Sequence, residues 1–347
     1  MSPISKLAVL AFAAVAVVVN AHPGHDPAEE IAQRAAYFSI PHHKRAIARR
    51  QAHIQELQEQ RSIKQLRARD YESVLNTTHH SNLTGLALDT DPSVLFASDN
   101  SSCVLTPEVT EGPYYVEGEY VRQNITEDQA GVALRLDVQI IDVETCEPIS
   151  GVMLEAWHCN ATGVYGGIVA SGNGNSDDAT NINRTSLRGL QQSKDDGALT
   201  FDTIVPGHYV GRTNHMHVLA HLNATVLPND TITGGTISHV GQLFFDQDLL
   251  EEVETTSPYS TNTQDVTTNA EDSIFQQEAT GFDPVVEYVL LGDTVDDGLL
   301  GWVSFGINIT ANYSVNPAAT LTSEGGVADN STGSGAGGPG GPPSSAL

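Results

Sequence analysis

The sequence predicts a mainly β fold, an antiparallel β-sandwich preceded by a short N-terminal helical segment. From about residue 103 onward, the apolar residues come in short runs separated by Gly, Pro, Asn and Asp clusters, which is the pattern of antiparallel strands and their turns. Helix-forming stretches are concentrated before residue 76. The length of 347 residues suits one large domain with tails, or two small domains.

Residues 1–21 have the features of a secretory signal peptide. Lys6 precedes an apolar run, and Val19 and Ala21 are the small residues of a cleavage site after Ala21. The run is short for a membrane span, and no later segment reaches the roughly 20 apolar residues that a span needs. We therefore expect a secreted protein that does not cross a membrane.

Acceptor triplets for N-glycans favour the same compartment. Asparagine precedes Ser or Thr by two positions at Asn76, Asn82, Asn100, Asn124, Asn160, Asn183, Asn223, Asn229, Asn308, Asn312 and Asn330. A single triplet carries little information, but this number on a chain with a signal peptide predicts an N-glycosylated protein.

Residues 22–75 form a segment rich in helix formers, with Pro41 separating two stretches. The pairs Lys44–Arg45 and Arg49–Arg50 resemble dibasic processing sites. The segment is therefore either a propeptide or a helical arm that packs on the body or on a second subunit, and a homodimer is left open. Residues 76–102 are polar and predict a linker.

Residues 103–320 contain the predicted strands of the sandwich. In "ALRLDVQIIDV" the apolar side chains alternate with polar ones, so Leu134, Leu136 and Val138 share one face. Further strand candidates are "GVMLEAWH", "LTFDTIV", "HMHVLAHL", "GQLFFD" and "GWVSFGINIT". Residues 321–347 are rich in Gly, Ser and Pro, so we expect a disordered tail.

Charge is distributed unevenly along the chain. Ten of the 16 Lys and Arg residues lie before residue 71. The remainder of the chain contains six Lys and Arg residues and 37 Asp and Glu residues. Such a body repels phosphate backbones, which excludes nucleic acid as a partner.

Three cysteines in an oxidising compartment suggest one disulfide and one free thiol. The sequence does not fix the pair, and we favour Cys103 with Cys146, which leaves Cys159 free. Their spacing is not that of a zinc site.

The stretch "VPGHYVGRTNHMHVLAH", residues 205–221, holds the strongest candidates for chemistry. On a strand, His215 and His217 point to the same side with Cα atoms about 7 Å apart, which suits two imidazoles on one metal ion. Tyr209 stands six residues earlier, and Gly211 allows the chain to bend back between them. Alone, a His-x-His pair does not distinguish a metal site from histidines without a function.

Tyr165, between glycines in "LEAWHCNATGVYGG", follows the end of a predicted strand. It is either a turn-capping phenol or a fourth ligand. A free phenol has a pKa of about 10, but a strongly Lewis-acidic ion such as ferric iron binds it deprotonated at neutral pH. Two tyrosines and two histidines fit Fe(III) better than Fe(II) or zinc.

These stretches, together with "TPEVTEGPYY", "LRGLQQSKDDG" and "GQLFFD", resemble the intradiol ring-cleavage dioxygenases, which include catechol 1,2-dioxygenase and protocatechuate 3,4-dioxygenase. The resemblance covers residues 106 to 250, in family order, and is strongest to secreted fungal-type members. The portion Pro-Gly-x-Tyr followed by Arg-x-x-His-x-His is highly specific. The turn "QQSKDDG" departs from the family's more usual Thr-Asp after Arg-Gly, away from the predicted ligands.

The resemblance implies a mononuclear non-haem Fe(III) held by four ligands: Tyr165, Tyr209, His215 and His217. It implies that Arg212 stabilises charge on the substrate, that Tyr209 also acts as a base, and that Gln242 lines the pocket. Tyr114 and Tyr115 fall where the family has substrate-pocket residues, and Arg188 is expected to be structural.

The function so implied is ring cleavage of a catechol-type diol by O2, between the two hydroxylated carbons, to give a muconic-type diacid. The alternative is a non-catalytic secreted β-sandwich module that binds phenolics or glycans. A copper monooxygenase with His22 at its mature N-terminus is disfavoured, because a helical segment and not a sheet follows His22.

Overall fold

The computed structural model describes residues 71–96, 103–329 and 344–345. The predicted signal peptide, the helical segment up to residue 70 with its dibasic pairs, and the triplets at Asn100 and Asn330 lie outside the described residues. What is described is mainly β and confirms the predicted sandwich class.

Two sheets form the sandwich. The four-stranded sheet, in spatial order β10–β11–β2–β5, contains β2 (Ala133–Asp142), β5 (Ala198–Ile204), β10 (Glu287–Leu290) and β11 (Leu299–Ile307). The six-stranded sheet, in order β15–β12–β9–β6–β3–β4, contains β3 (Met153–Trp157), β4 (Arg188–Gln192), β6 (His215–Leu222), β9 (Thr236–Phe244), β12 (Tyr313–Ser314) and β15 (Ser344–Ser345).

Smaller elements complete the described part. A three-stranded sheet joins β1 (Val116–Glu117), β13 (Ala319–Thr322) and β14 (Gly325–Ala328), and a hairpin joins β7 (Thr225–Val226) and β8 (Ile232–Thr233). The α-helices are α1 (Tyr71–Leu75), α2 (Pro92–Leu95), α3 (Gln247–Glu254) and α4 (Ser273–Glu278). Single 3₁₀ turns span Ser171–Asn173, Ala179–Asn183, Tyr259–Thr261 and Val295–Asp297. Among these described residues, no helix has the length and apolar character of a membrane span.

Strand pairing is mostly antiparallel, as predicted, with two parallel exceptions. Every neighbour in the six-stranded sheet is antiparallel, whereas β2 and β11 run parallel over their full length, from Leu134↔Leu299 to Asp142↔Ile307. Parallel neighbours need a long connection, and the chain between β2 and β11 supplies it by building most of the second sheet. The other parallel pair is β1 with β13.

The hydrophobic core lies between the two sheets. The predicted apolar face of β2, formed by Leu134, Leu136, Val138 and Ile140, is at most 2 % exposed. It packs against side chains of the other sheet, including Leu154 and Val218, in one cluster. Burial of each such side chain contributes about 1.5–3 kcal/mol.

Strand β6 is buried on both faces, and this arrangement positions the site. Met216, Val218 and Ala220 face the core between the sheets, so His215 and His217 face outward from the sandwich. That outer face is covered by loops and by the β1–β13–β14 sheet, whose Val116 and Ala319 pack in one cluster with Trp157 and Tyr165.

The predicted linker, residues 76–102, is wrong where the structure describes it. His79 is buried, with Nδ1 2.5 Å from Asp246 and Nε2 3.1 Å from Asp283. Leu95 of α2 packs in a small cluster with Leu300 and Trp302. The polar composition concealed these contacts because one ion-paired histidine and one leucine anchor the segment.

The predicted boundary at residue 320 is also too early. β13 and β14 form a hairpin that continues the structured chain to Asp329, and the Gly326 N–H donates to Asn183 Oδ1 at 2.9 Å. Backbone pairing needs no large apolar side chain, so a composition rich in Gly and Ser did not reveal it.

The favoured disulfide is confirmed. Cys103 and Cys146 are joined, with an S–S distance of 2.08 Å, and the bond ties the start of the sandwich to the turn after β2. Cys159 is a free, buried thiol whose Sγ lies 3.1 Å from the Gly207 carbonyl oxygen.

The His79 anchor should make stability pH-dependent. Burial lowers the pKa of His79, but hydrogen bonds and charge from Asp246 and Asp283 outweigh it and raise the pKa to about 9. The stabilisation is therefore complete below the unfolded value of about 6.5 and is lost as pH rises through 9. We expect His79→Gln to lower the free energy of unfolding by on the order of 3 kcal/mol at pH 6, and by much less at pH 10.

Denaturant unfolding at both pH values measures this difference. The neighbouring exposed His80, which stacks on Tyr288 at 4.9 Å, provides the control His80→Gln, which should cost less than His79→Gln at pH 6 because it leaves the contacts with Asp246 and Asp283 intact. An equal loss for His79→Gln at pH 6 and pH 10 would contradict the ion-paired anchor.

Removal of the disulfide should destabilise the sandwich, because the bond closes a loop between residues 43 positions apart. We expect the double substitution Cys103→Ser and Cys146→Ser to lower the free energy of unfolding by about 2–4 kcal/mol. Denaturant unfolding of the variant and of the reduced wild-type protein should give the same midpoint. A midpoint equal to that of the oxidised wild type would show that the bond contributes nothing.

Candidate active site

One row of side chains crosses four strands on the outer face of the six-stranded sheet. The register places Arg188 opposite Trp157, Trp157 opposite His217, and His217 opposite Gln242. Trp157 and His217 stack in parallel, with ring centroids 4.9 Å apart and planes 4° apart. The sheet therefore fixes the plane of the His217 imidazole.

His215 lies two residues along β6 and is oriented by its own backbone. Its Nδ1 lies 2.6 Å from the Thr213 carbonyl oxygen. Because a carbonyl only accepts, Nδ1 carries the proton, and Nε2 of the neutral ring is left with a free lone pair. That Nε2 lies 3.2 Å from Nε2 of His217.

Tyr165 reaches the histidines from the loop after β3. Its backbone N–H donates to Asn173 Oδ1 at 2.8 Å, and its carbonyl oxygen accepts from Asn173 Nδ2 at 2.9 Å and Asn181 Nδ2 at 2.8 Å. The side chain is fully buried, and its hydroxyl oxygen lies 3.4 Å from His215 Nε2. Hydrogen bonds to both the N–H and the carbonyl oxygen of Tyr165 thus fix the loop.

Tyr209 is placed by a tight turn. The Arg212 N–H donates to the Tyr209 carbonyl oxygen at 3.1 Å, and Gly211 at the third position has φ +84°. A turn of this type needs positive φ at that position, which glycine adopts without strain. The Tyr209 hydroxyl oxygen also lies 3.4 Å from His215 Nε2.

The structure therefore brings the four predicted ligands together around His215 Nε2. Burial holds them uncharged: it raises the pKa of Tyr165 well above 10 and that of Tyr209 to about 12. Burial, assisted by the charge of Arg212, lowers the pKa of both histidines well below 6.5. Two neutral imidazoles and two phenols thus converge on one point.

This donor set fits a hard trivalent metal ion. Among the described residues, no group of three or more His, Cys, Asp or Glu side chains is arranged to hold a metal, so the tyrosines are essential to such a site. A cation at the centre would favour the phenolate forms that burial opposes. Nδ1 of His217 is buried without a hydrogen-bond partner, so the ring is oriented by stacking and not by a second hydrogen bond.

Arg212 provides the positive charge at this site. Its Nη1 lies 3.3 Å from His215 Nε2, its Nη2 donates to Gln242 Oε1 at 2.6 Å, and its Nε donates to Asp272 Oδ2 at 2.8 Å. Gln242 is fixed in turn, because its Nε2 donates to the Thr110 carbonyl oxygen at 3.0 Å. Arg212 as a whole is buried, with 9 % of its surface exposed.

The side chains of the two tyrosines in "EGPYY" lie in different environments. Tyr114 lies beside the cluster, with its ring centroid 4.9 Å from Tyr165 and 6.4 Å from Tyr209. Tyr115 points the other way, packs on Trp157 and places its hydroxyl 3.4 Å from Glu155 Oε2. The structure thus brings Tyr114 and not Tyr115 to the predicted pocket.

Arg188 has a structural position, as the sequence suggested. It is 1 % exposed, and its guanidinium donates to the Gly166 carbonyl oxygen at 2.9 Å and the Tyr114 carbonyl oxygen at 2.7 Å. It thereby holds the loop of Tyr165 and the segment of Tyr114 against the sheet.

Sequence reasoning missed several residues that support the site. Trp157, Asn173, Asn181, Asp272 and Glu278 are buried polar or aromatic side chains that orient the residues named above. Only Trp157 carried a local signal, as the residue at the end of a predicted strand. The others act through hydrogen bonds that no short sequence pattern reveals.

Comparisons with known proteins show what this chain is similar to. Residues 110–271 match a family model described as Dioxygenase. An intradiol ring-cleavage dioxygenase from Tetranychus urticae is 32 % identical, with 61 % of this chain and 98 % of that chain covered and a TM-score of 0.51. A second dioxygenase crystal structure is 31 % identical, with 62 % and 98 % covered and a TM-score of 0.51.

The dioxygenase domain of a carbohydrate-binding fusion protein from Streptomyces sp. SirexAA-E is 25 % identical, with 60 % of this chain and all of that chain covered and a TM-score of 0.40. A comparison with curated protein sequences gave no match. The match to the Tetranychus urticae enzyme covers almost the whole of that enzyme, and the chain therefore belongs to the intradiol ring-cleavage dioxygenase family.

Proposed function

We propose that this protein is a secreted, mononuclear non-haem Fe(III) dioxygenase that cleaves catechol-type rings between the two hydroxylated carbons and gives muconic-type diacids. The observation that carries the proposal is the convergence of Tyr165, Tyr209 and His217 on His215 Nε2, at 3.2 to 3.4 Å. A non-catalytic binding module has no need to bury four such donors against one another.

The proposed ligands are the hydroxyl oxygens of Tyr165 and Tyr209 and the Nε2 atoms of His215 and His217. The family generally uses non-haem iron, and hard phenolate donors with neutral imidazoles suit the ferric state. When bound, ferric iron would supply the Lewis acidity that ionises the phenols and the electron acceptor that activates a catechol toward O2.

The two tyrosines are suited to different tasks. Tyr165 is fully buried and its backbone is tied by three side-chain hydrogen bonds, so it is the fixed ligand. Tyr209 lies on a tight turn beside the exposed Val210 and is only partly buried. We assign Tyr209, in the phenolate form that a bound ferric ion would favour, as the group whose oxygen would accept a proton from the substrate hydroxyl, because its side chain is the less buried of the two.

Arg212 is suited to stabilise negative charge on the bound diol. Its guanidinium faces the cluster, is largely removed from water, and is fixed by Asp272 and Gln242 before any substrate arrives. A preorganised charge in a dry site lowers the energy of developing negative charge without reorganisation. Tyr114 flanks both tyrosines and is the aromatic wall of the proposed pocket.

Secretion and N-glycosylation belong to the proposal as well. Of the triplet asparagines that the structure describes, Asn160 and Asn308 are partly buried and the rest are exposed. The disulfide suits an oxidising compartment. Asn160 uses its Oδ1 to accept from Thr162 and Val164 in the turn before Tyr165, so we expect it to be unoccupied or directed outward.

The first test is the visible spectrum of the purified protein together with metal analysis. We expect about one iron per chain and a broad charge-transfer band that shifts when catechol is added without oxygen. Tyr165→Phe and Tyr209→Phe should each change or abolish the band. With oxygen, mass spectrometry should find both atoms of ¹⁸O₂ in a muconic-type product.

Tyr288→Phe, a buried tyrosine outside the cluster, is the matched control and should leave the band unchanged. A colourless protein that takes up no iron from ferric or ferrous salt would overturn the dioxygenase proposal and favour the binding module.

Removal of the Arg212 charge should affect chemistry more than metal binding. We expect Arg212→Met to retain iron and the band but to lose roughly 10²- to 10³-fold in kcat, the cost typical of losing one preorganised charge-stabilising group. Steady-state kinetics with iron quantification measure this. Wild-type kcat in an iron-loaded Arg212→Met enzyme would remove Arg212 from the proposed mechanism.

A further inference from the structure

Helix α4 (Ser273–Glu278) lies just beyond the family-model match, which ends at residue 271. It carries a buried carboxyl group at each end: Asp272 is its N-cap and Glu278 is its last residue. Each contacts a different residue of the proposed substrate pocket.

Asp272 joins the helix to the turn of Arg212. Its Oδ1 accepts from the backbone N–H groups of Ile274 and Phe275, which is an ordinary N-cap. Its Oδ2 accepts from Arg212 Nε at 2.8 Å and from the Thr213 N–H at 2.9 Å. One carboxylate therefore fixes the start of α4, the guanidinium and the backbone that leads into β6.

Glu278 joins the other end of the helix to β9. Its Oε1 accepts from the Gln242 backbone N–H at 2.7 Å, and Gln242 Oε1 accepts in turn from Arg212 Nη2 at 2.6 Å. Burial raises the pKa of Glu278 well above 4.5.

The middle of the helix touches the same site through packing. Phe275 meets Phe244 edge to face at 5.0 Å, and Phe244 lies 6.1 Å from the His215 ring. Tyr71 of α1 packs on the other side of Phe275 at 6.1 Å and donates to the Ala270 carbonyl oxygen at 2.7 Å. The helix is thereby held in place by the segment that precedes the sandwich.

We propose that α4 is a bracket that positions Arg212 and Gln242 together, with Asp272 holding the guanidinium and Glu278 holding the strand position of Gln242. This inference rests on the proposed function, because the orientation of Arg212 and Gln242 matters only if both residues line a substrate pocket. Asp272 and Glu278 touch no substrate atom; they are positioning residues that act through Arg212 and Gln242.

The hydrogen bonds and helix α4 together form a closed ring of contacts, so one short helix can orient both Arg212 and Gln242. Asp272 and Glu278 are covalently linked through a single helix, and Arg212 and Gln242 close the ring by their own hydrogen bond. Loss of either end frees the Arg212 side chain to adopt other rotamers. A fixed orientation is what gives a charge its effect on a reacting group.

The test compares Asp272→Asn and Glu278→Leu with two control variants. In Asp272→Asn, the side-chain NH₂ group faces either the donors of Arg212 and Thr213 or the N–H groups of the helix N-terminus. Glu278→Leu removes the acceptor for the Gln242 backbone N–H. Glu278→Gln keeps that acceptor and should restore wild-type behaviour. Asp91→Asn changes an N-cap carboxylate in α2, away from the site, and controls for loss of a cap.

We expect Asp272→Asn and Glu278→Leu to lose about 10- to 100-fold in kcat/KM, the usual cost of removing a supporting hydrogen-bond partner. Iron content and the charge-transfer band should remain at wild-type values. Anaerobic titration with catechol should show weaker binding, and crystal structures of the variants should show the guanidinium displaced from Gln242.

Several results would overturn the bracket. It fails if Asp272→Asn costs no more than Asp91→Asn, or if Arg212 stays hydrogen-bonded to Gln242 in both variant crystal structures. It also fails if activity falls only in proportion to lost iron. If Glu278→Leu does not fold, the kcat/KM and the crystal structure of Asp272→Asn test the proposal on their own. If the wild-type protein contains iron but cleaves no catechol, the proposed function is wrong. The position of Arg212 in the variant crystal structures would still test whether α4 acts as a bracket.

Discussion

The structure depends on one strand, β6, whose two faces have different environments. Alternate side chains of the strand point to opposite sides, so Met216 and Val218 fill the core of the sandwich while His215 and His217 face the proposed metal position. A shift of register by one residue would exchange the two sets, placing imidazoles in an apolar core. The packing of the sandwich therefore fixes the direction of both histidines, and the loops only have to bring the tyrosines to them.

The site is assembled in a way that disfavours charge until a cation is present. Burial keeps Tyr165 and Tyr209 protonated and both histidines neutral, and the guanidinium of Arg212 lies 3.3 Å from His215 Nε2. This environment suits an ion that binds phenolates strongly, and it makes the same residues poor ligands for weakly Lewis-acidic metals. In a body that is otherwise strongly acidic, Arg212 is also the feature that gives an anionic substrate a favourable local field.

Support for the reactive groups comes from layers outside the sheet that carries them. Arg188 and the asparagines Asn173 and Asn181 hold the loop of Tyr165, whereas helix α4 holds Arg212 and Gln242. The segment at residues 71–96, anchored through His79 and Leu95, packs near that helix and so contributes to the same region. Residues before and after the family-model match thus pack with one another beside the site.

The sequence by itself determined the sandwich class, the limits of β6 at residues 215–222, the common face of His215 and His217, and the turn at Gly211, because each follows from periodicity or from local backbone preference. Motif resemblance added Arg212 and Gln242, and it implied that Tyr165 and Tyr209 are metal ligands. Only the tertiary structure decided that Tyr114 and not Tyr115 reaches the cluster, that residues 76–96 and 321–329 pack on the body, and that Asp272 and Glu278 hold the pocket. Those outcomes depend on contacts between residues distant in the chain, such as the 60 positions between Arg212 and Asp272, and such contacts leave no periodic pattern in the sequence.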